Sequence, residues 1–209
     1  MRLFTRTVKM TGPPAELVAF STDMATHVSQ VTGVEVGLWS VQFGAPAGTV
    51  VYSARVEGLV QLNDMTEKLM ADSGYHDRLA TGSQYTDGDV VDALATQLHG
   101  TAGDPPPVGT VVAGTRALIA GGRYADAVAW GVDMATYSES VTGLPVGFFM
   151  DAFGAFGGVG WLSGAPDAAA AEAAGAALEG DAGYLDRLGA VGDLFIQGSG
   201  NRTLATRIA

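Results

Sequence analysis

The sequence has no cysteine among its 209 residues, and it carries little positive charge. The absence of cysteine excludes disulfides and thiol catalysis. It also means that cysteine usage does not indicate whether the protein works in an oxidising or a reducing compartment. Lys and Arg number 11 against 22 Asp and Glu, which gives a formal net charge of −11. Because nucleic acids and anionic membrane surfaces attract basic proteins, we expect neither as a partner.

Histidine is also scarce. The three histidines, His27, His76 and His99, are scattered and lack a paired metal-ligand spacing, so we expect no metal site. The sequence has no Walker loop, no Gly-x-Gly-x-x-Gly after a strand and no Gly-x-Ser-x-Gly elbow, and we expect no cofactor. Haem would need an axial histidine, and nothing in the sequence selects one of the three.

The hydropathy pattern predicts neither a signal peptide nor a membrane span. The N-terminal residues contain no long apolar run, which argues against a signal peptide. Residues 144–164 are almost wholly apolar, but Pro145, Asp151 and many glycines make the segment a poor helix, and it predicts two strands rather than a membrane span. Hydrophobic residues make up 47% and charged residues 16%, which is typical of a folded chain. We expect a cytoplasmic protein.

An internal repeat is the strongest feature that is present. A shift of 110 residues aligns residues 18–45 with 128–155, and 14 of these 28 positions are identical. At the same shift Thr5-Arg6 matches Thr115-Arg116, and after a one-residue deletion residues 72–79 match 181–188. We therefore predict two copies of one domain, residues 1–99 and 108–209, joined by a Gly- and Pro-rich linker at 100–107.

Each copy predicts the order βαββαβ. Residues 2–10 form a first strand, and a helix opens after Gly12-Pro13-Pro14, with Gly33 and Gly143 at the expected helix ends. The buried stripe of that helix has helical three- and four-residue steps: Leu17, Phe20, Met24, His27 and Val31. Strands at 34–43 and 49–56, a second helix from Leu59 past Tyr75 and a strand near 90–98 complete the unit.

The predicted fold class is α+β. Helices cover one face of the predicted four-stranded sheet, yet both faces look apolar, so we expect two ferredoxin-like units packed sheet to sheet as one barrel. This arrangement resembles the dimeric α+β-barrel superfamily, and the glycine-turn hairpin after the first helix resembles its NIPSNAP-like and antibiotic-biosynthesis-monooxygenase-like branches. The resemblance implies a range of activities: cofactor-independent oxygenases, small cyclases and isomerases, haem-binding members and members of unknown role.

Position 27/137 of the helix stripe holds His27 in one copy and Tyr137 in the other. Each has an aspartate four residues earlier, Asp23 or Asp133, on the same helix face. The functional interpretation is a general base, His27, oriented by Asp23, with Tyr137 as a donor in the second copy. The alternative is a His and a Tyr at the edge of the stripe, beside solvated or capping aspartates.

Asp151 shares a predicted strand face with Phe149 and Phe153. A carboxylate on an apolar face is costly unless it is paired. Asp151 is therefore either a site residue, a partner of an arginine on a neighbouring strand, or a residue at the barrel mouth. The repeated Gly-Tyr-x-Asp-Arg-Leu motif predicts a shared structural role, such as pairing across the interface between copies.

Three functions remain open at this point, of which the third is haem binding through His27, His76 or His99. The first is a small-molecule enzyme, an oxygenase, cyclase or isomerase, that binds an apolar or aromatic substrate. Its catalytic candidates are His27, Asp23, Tyr137 and Asp151, and its substrate-binding candidates are Trp39, Phe43, Trp130 and Phe149. The second is a non-catalytic ligand-binding or assembly protein, and self-association is compatible with both.

Overall fold

The first half of the chain begins and ends with a strand. The structure is a computed structural model that describes residues 1–101 and 105–209, so part of the predicted linker lies outside the described residues. In order, the elements of this half are β1 (Arg2–Met10), α1 (Pro14–Thr32), β2 (Val36–Phe43), β3 (Thr49–Val56), α2 (Leu59–Met70), α3 (Ser73–Gly82) and β4 (Thr86–His99).

The second half has the same order of elements. They are β5 (Val111–Leu118), α4 (Tyr124–Thr142), β6 (Val146–Phe153), β7 (Gly158–Ala165), α5 (Ala168–Gly180), α6 (Ala182–Gly189) and β8 (Asn201–Arg207). The apolar segment at 144–164 thus supplies β6 and β7, as its glycines predict. Within the described residues, none of the helices combines the length and the apolar character needed to cross a bilayer.

All eight strands close into one antiparallel barrel in the order β1-β3-β2-β8-β5-β7-β6-β4. The strand β4 pairs with β1 of its own half and with β6 of the other, and β8 pairs with both β5 and β2. These two strands therefore join the halves and leave neither sheet with an open edge. An eight-stranded barrel is just wide enough inside to be filled by side chains or to hold one small ligand.

Strand alternation separates an outer layer from the barrel lumen. Leu38 and Phe148 face the helices and are fully buried. Their neighbours Trp39 and Phe149 point to the opposite face, into the lumen, and keep some accessible surface. The main core therefore lies between helices and barrel, in a cluster that contains Ile119, Ala127, Ala135, Val146, Phe148, Val159 and Leu194.

The helix ends show where sequence reading succeeds and where it fails. Gly33 and Gly143 end α1 and α4 in the left-handed conformation, as predicted. The predicted continuous second helix is wrong, because Asp72 adopts an extended conformation between α2 and α3. Its carboxylate accepts a hydrogen bond from the Tyr75 amide at 2.6 Å and so caps α3. Asp181 caps α6 in the same way.

Candidate functional site in the barrel

The residues nominated from the sequence fall into two separate compartments. Trp39, Phe149 and Asp151 face the lumen by alternation, and Phe43 lies at one mouth of the barrel with 68% of its surface exposed. The other nominated residues lie on the helices outside the barrel: Asp23, His27, Trp130 and Tyr137. The structure therefore does not bring the nominated residues together into one pocket.

His27 links α1 to the start of α3. Its Nε2 lies 2.7 Å from Oδ1 of Asp72, the capping residue, and its side chain is 16% exposed. Asp23 instead accepts hydrogen bonds from Arg78 at 2.7 and 3.1 Å. The predicted Asp23–His27 hydrogen bond is therefore wrong, because the arginine offers the carboxylate a charged fork of donors. The Arg78 guanidinium also lowers the pKa of Asp23.

The second half repeats this network with a tyrosine. The Tyr137 hydroxyl donates to Asp181 Oδ1 at 2.9 Å, and Arg187 donates to Asp133 at 2.8 Å. The guanidinium of Arg187 also lies 3.7 Å from the centre of the Tyr137 ring. The hydrogen bond to Asp181 raises the pKa of Tyr137. The Gly-Tyr-x-Asp-Arg-Leu motif therefore ties two helices together within each half, and the expected pairing across the copies is wrong.

This network accounts for the polar residues on the helix stripe without a ligand. A Cβ on Gly74, the glycine of the motif, would lie 3.0 Å from His27 Cε1, so the glycine makes room for the ring. Gly183 stands in the same position against Tyr137. The contacts favour a structural role for His27 and Tyr137, and their catalytic roles stay predictions.

We expect Asp72→Asn to make the stability less dependent on pH in acid. The hydrogen bonds from His27 and from the Tyr75 amide lower the pKa of Asp72. A lowered folded-state pKa stabilises the fold above the ordinary carboxyl pKa of about 4, and this stabilisation is lost as the pH falls further. Urea unfolding between pH 3 and 7 should show a wild-type advantage that shrinks below about pH 4.

Asparagine caps helices about as well as aspartate, so this change isolates the charge. Asp181→Asn is the matched control, because its partner is a neutral tyrosine hydroxyl. A wild-type advantage over Asp72→Asn that stays constant from pH 3 to 7 would contradict the assigned role of Asp72.

Asp151 is paired inside the lumen. Its side chain is only 6% exposed and accepts a hydrogen bond from Nη2 of Arg116, which is 53% exposed. The two residues lie on β6 and β5, with β7 between them, and a Cβ on Gly158 of β7 would overlap the Asp151 carboxylate. Because Gly158 has no side chain, it leaves the space across β7 that the Asp151 carboxylate occupies when it binds Arg116. Asp151 therefore pairs with an arginine, as one of its interpretations predicted, but this arginine lies two strands away rather than on a neighbouring strand. The role of Asp151 as a site residue stays a prediction.

Two aromatic side chains face the lumen from opposite sides. Trp39 lies on β2 and Phe149 on β6, which are four strands apart in a barrel of eight. Trp39 Nε1 donates to Ser53 Oγ at 2.8 Å, and this bond fixes the indole. A Cβ on Gly147 would lie 2.5 Å from the Phe149 ring, so this ring rests against a glycine. Both rings therefore lie on the lumen face of the barrel, on strands opposite each other.

Sequence reasoning missed two arginines at the mouth where β3 and β8 end. Arg207 is buried and donates to Glu35 Oε1 at 2.5 Å and to the Ala209 oxygen at 3.0 Å. Arg55 lies on the lumen face of β3, and its Nη1 atom is buried without a hydrogen-bond partner among the described residues. A charged residue in β3, a strand whose other residues are all uncharged, was the signal that could have indicated a site.

Other features of the surface carry less information. Two open grooves of about 490 and 590 Å³ lie beside α2 on the outside, lined largely by exposed residues from Leu59 onward, and neither contains a nominated residue. In the part of the chain that the structure describes, no three His, Asp or Glu side chains lie close enough together to hold a metal ion.

Comparison with known proteins identifies relatives of the fold. No protein-family model matches the sequence, and no curated protein resembles it significantly. Among solved structures, a "putative monooxygenase" of Fusobacterium nucleatum subsp. nucleatum is similar with a TM-score of 0.69 and 11% identity, over 100% of this chain and 92% of the other. An anthrone oxidase-like protein gives a TM-score of 0.68 and 14% identity, over 100% and 92% of the chains.

A staphylococcal protein described as a major regulator of pathogenesis is also similar, with a TM-score of 0.62 and 7% identity over the whole of both chains. The chain therefore has a closed eight-stranded fold similar to that of monooxygenase-like dimeric α+β-barrel proteins. At these identities the likeness concerns the fold alone, and a fold of this kind hosts more than one function.

Proposed function

We propose that the protein is a small-molecule enzyme of the barrel class, an oxygenase that binds an apolar or aromatic substrate in the lumen and uses no bound cofactor. The observation that carries the proposal is the pair of aromatic side chains, Trp39 and Phe149, on opposite strands of a closed barrel. Aromatic side chains bind flat apolar rings by stacked or edge-to-face contact. The likeness in fold to proteins described as a "putative monooxygenase" and as "anthrone oxidase-like" supports the choice of reaction.

The carboxylates nominated from the sequence are bound in ion pairs, and this favours an oxygenase over a cyclase or an isomerase. Those two reactions need a protein group that is free to move a proton. Asp151 is bound to Arg116, and Asp23 is bound to Arg78. A phenol with a pKa of about 10 is ionised to about 0.1% at pH 7 without a protein base, because hydroxide in the solvent takes its proton. A site that binds this anion from solution therefore places the smallest demand on protein bases.

The alternative is a non-catalytic ligand-binding protein. The same engaged carboxylates favour it, as does the likeness in fold to a regulator. One measurement separates the two functions: an oxygenase consumes oxygen when its substrate is bound, and a ligand-binding protein does not.

We infer that the two halves are copies of one ferredoxin-like unit, residues 1–99 and 108–209, with 100–107 as the linker. The order of strands supports this inference, since β4-β1-β3-β2 in the first half corresponds to β8-β5-β7-β6 in the second. The repeated capping network of Asp72 and Asp181 supports it independently. The branch of the superfamily to which the copies belong stays a prediction.

Oxygen uptake with anthrone tests the oxygenase directly. We expect uptake above the rate without protein, and we expect Trp39→Ala to lower kcat/KM at least about tenfold, because the ring supplies much of the contact area for the substrate. Phe156→Ala is the matched control, since Phe156 is 99% exposed in the turn between β6 and β7. The control should retain the wild-type rate.

Binding without oxygen uptake would reject the oxygenase and leave the ligand-binding alternative. Equal loss of rate in Trp39→Ala and Phe156→Ala would place the reaction outside the lumen.

A further inference from the structure

We propose that Arg55 holds the anionic group of the ligand, so that the lumen selects small aromatic molecules that carry a carboxylate or another oxyanion. The inference rests on the proposed function in one respect only, that the lumen is the ligand site. It adds the chemical class of the ligand and a residue that recognises it.

The direction of Arg55 follows from its neighbours on β3. Ala54 and Val56 belong to a buried cluster with Met65 of α2, so both face outward to the helices. Arg55 lies between them and therefore faces the lumen, where its partner across the sheet is Leu3 of β1. Ser53, two residues earlier on the same face, accepts the hydrogen bond of Trp39. Arg55 and Trp39 therefore border the same space.

The charge of Arg55 is not neutralised by its neighbours in the described residues. Glu35 precedes Val36, which pairs with Ala54, but its carboxylate is bound to Arg207. Glu57 follows Arg55 by two residues, but it lines the groove outside the barrel together with Arg2. The buried Nη1 of Arg55 has no hydrogen-bond partner among residues 1–101 and 105–209. A buried donor without a partner costs stability, and a ligand oxygen would satisfy it.

The second half carries no equivalent charge. Its strand register pairs Ser163 with Val146, as Ala54 pairs with Val36, so the position that corresponds to Arg55 is Gly164. The other arginine on the lumen face, Arg116 of β5, is paired with Asp151, so among the described residues only the first half offers the lumen an arginine whose buried donor has no partner. A single ligand with one charged end fits this asymmetry better than two ligands related by the internal repeat.

The spacing indicates the size of the ligand. Residues two apart on a strand lie about 7 Å from each other, so Arg55 lies about that far along the barrel from the Ser53–Trp39 pair. This length matches an aromatic system of about two fused rings with a carboxylate at one end. We choose 2-naphthoate as the probe and 2-naphthylmethanol as its neutral counterpart.

Titration calorimetry with the two probes tests the inference. We expect the wild-type protein to bind 2-naphthoate at least about tenfold more tightly than 2-naphthylmethanol, as a charge-assisted hydrogen bond predicts. Arg55→Met should remove this preference while it retains binding of the alcohol. Arg202→Met is the matched control, because it removes an equal charge from an exposed position on β8 and should keep the preference.

Equal binding of the two probes by the wild type, no binding of 2-naphthoate at millimolar concentration, or a preference that survives Arg55→Met would each overturn the inference. A melting curve separates recognition from folding, since Arg55→Met should melt at the same temperature or higher once the unpaired donor is gone. An unfolded Arg55→Met protein would make Arg55 a structural residue and would also overturn it. A lumen that binds 2-naphthoate but consumes no oxygen with anthrone keeps this inference and rejects the oxygenase.

Discussion

Truncation of Phe148 to alanine is expected to lower the free energy of unfolding by about 3–5 kcal/mol, the cost of a large cavity in a core that cannot collapse. The Phe148 side chain is fully buried and stacks on Trp161 with ring centres 4.8 Å apart. A Cβ on Gly131 of α4 would overlap the Phe148 ring, so helix and strand approach as closely as a glycine allows. Removal of the ring therefore leaves a space that neither element can fill.

Urea unfolding followed by circular dichroism measures this loss. The midpoint should fall while the slope with denaturant stays the same, because the surface exposed on unfolding barely changes. Phe156→Ala, which truncates an exposed ring, should change the free energy of unfolding by less than about 0.5 kcal/mol. If Phe148→Ala cost as little as that control, the layer between α4 and the barrel would not be the main core.

Replacement of Arg116 by methionine is expected to lower the free energy of unfolding by about 2 kcal/mol, because it leaves the Asp151 carboxylate in the lumen without its partner. Breaking a fully buried pair costs about 3–5 kcal/mol, and the exposure of Arg116 justifies a smaller value here. Asp151→Asn should cost less, since Arg116 is 53% exposed and can return to solvent.

The double variant Arg116→Met with Asp151→Leu completes this test. It should recover most of the stability lost in Arg116→Met, because no charge is then left unpaired. Thermal melting of the wild type, Arg116→Met, Asp151→Leu and the double variant gives the coupling. Additive losses would mean that the two side chains do not interact in the folded protein.

Strand positions were the most predictable part of the fold. The sequence interpretation placed strands at 2–10 and 49–56, and the structure has β1 and β3 at those residues. Runs of β-branched residues between glycine turns mark such strands without help from tertiary contacts. Closure of the barrel was predictable too, because both faces of the sheet are apolar and helices cover only one.

Register was not predictable, and one error shows why. The 110-residue shift equates Arg6 with Arg116, but Arg6 pairs with Tyr52 whereas Arg116 pairs with Gly160. Tyr52 lies opposite Leu38, and the corresponding residue opposite Phe148 is Trp161, which pairs with Thr115. A slip of one residue moves a side chain to the other face of a sheet. Arg6 therefore faces the helices, where it binds Asp92 at 2.8 Å, and Arg116 faces the lumen.

The hydrogen-bond partners of the polar residues could not be predicted from the sequence either. Asp23 and His27 share a helix face, and spacing alone brings them close. Which residue each one binds depends on α3, whose start is set by Asp72 and whose arginine reaches Asp23. Arg55 was overlooked for a related reason. Only the closed barrel shows that the residue lies on the lumen face and that Glu35, the acidic residue closest to it in the strand register, is already bound to Arg207.

The central claim is that the lumen is the ligand site, and the NMR signals of the three tryptophan indole N–H groups test it most directly. Their indole N–H groups donate to different acceptors: Trp39 to Ser53 in the lumen, and Trp130 and Trp161 to the main-chain oxygens of Arg187 and Gly131 in the outer layer. Titration of the ¹⁵N-labelled protein with 2-naphthoate should shift the Trp39 indole signal, assigned with Trp39→Phe, and leave the other two in place. Shifts of the Trp130 and Trp161 signals with an unmoved Trp39 would place the ligand between the helices and the barrel and would contradict the account.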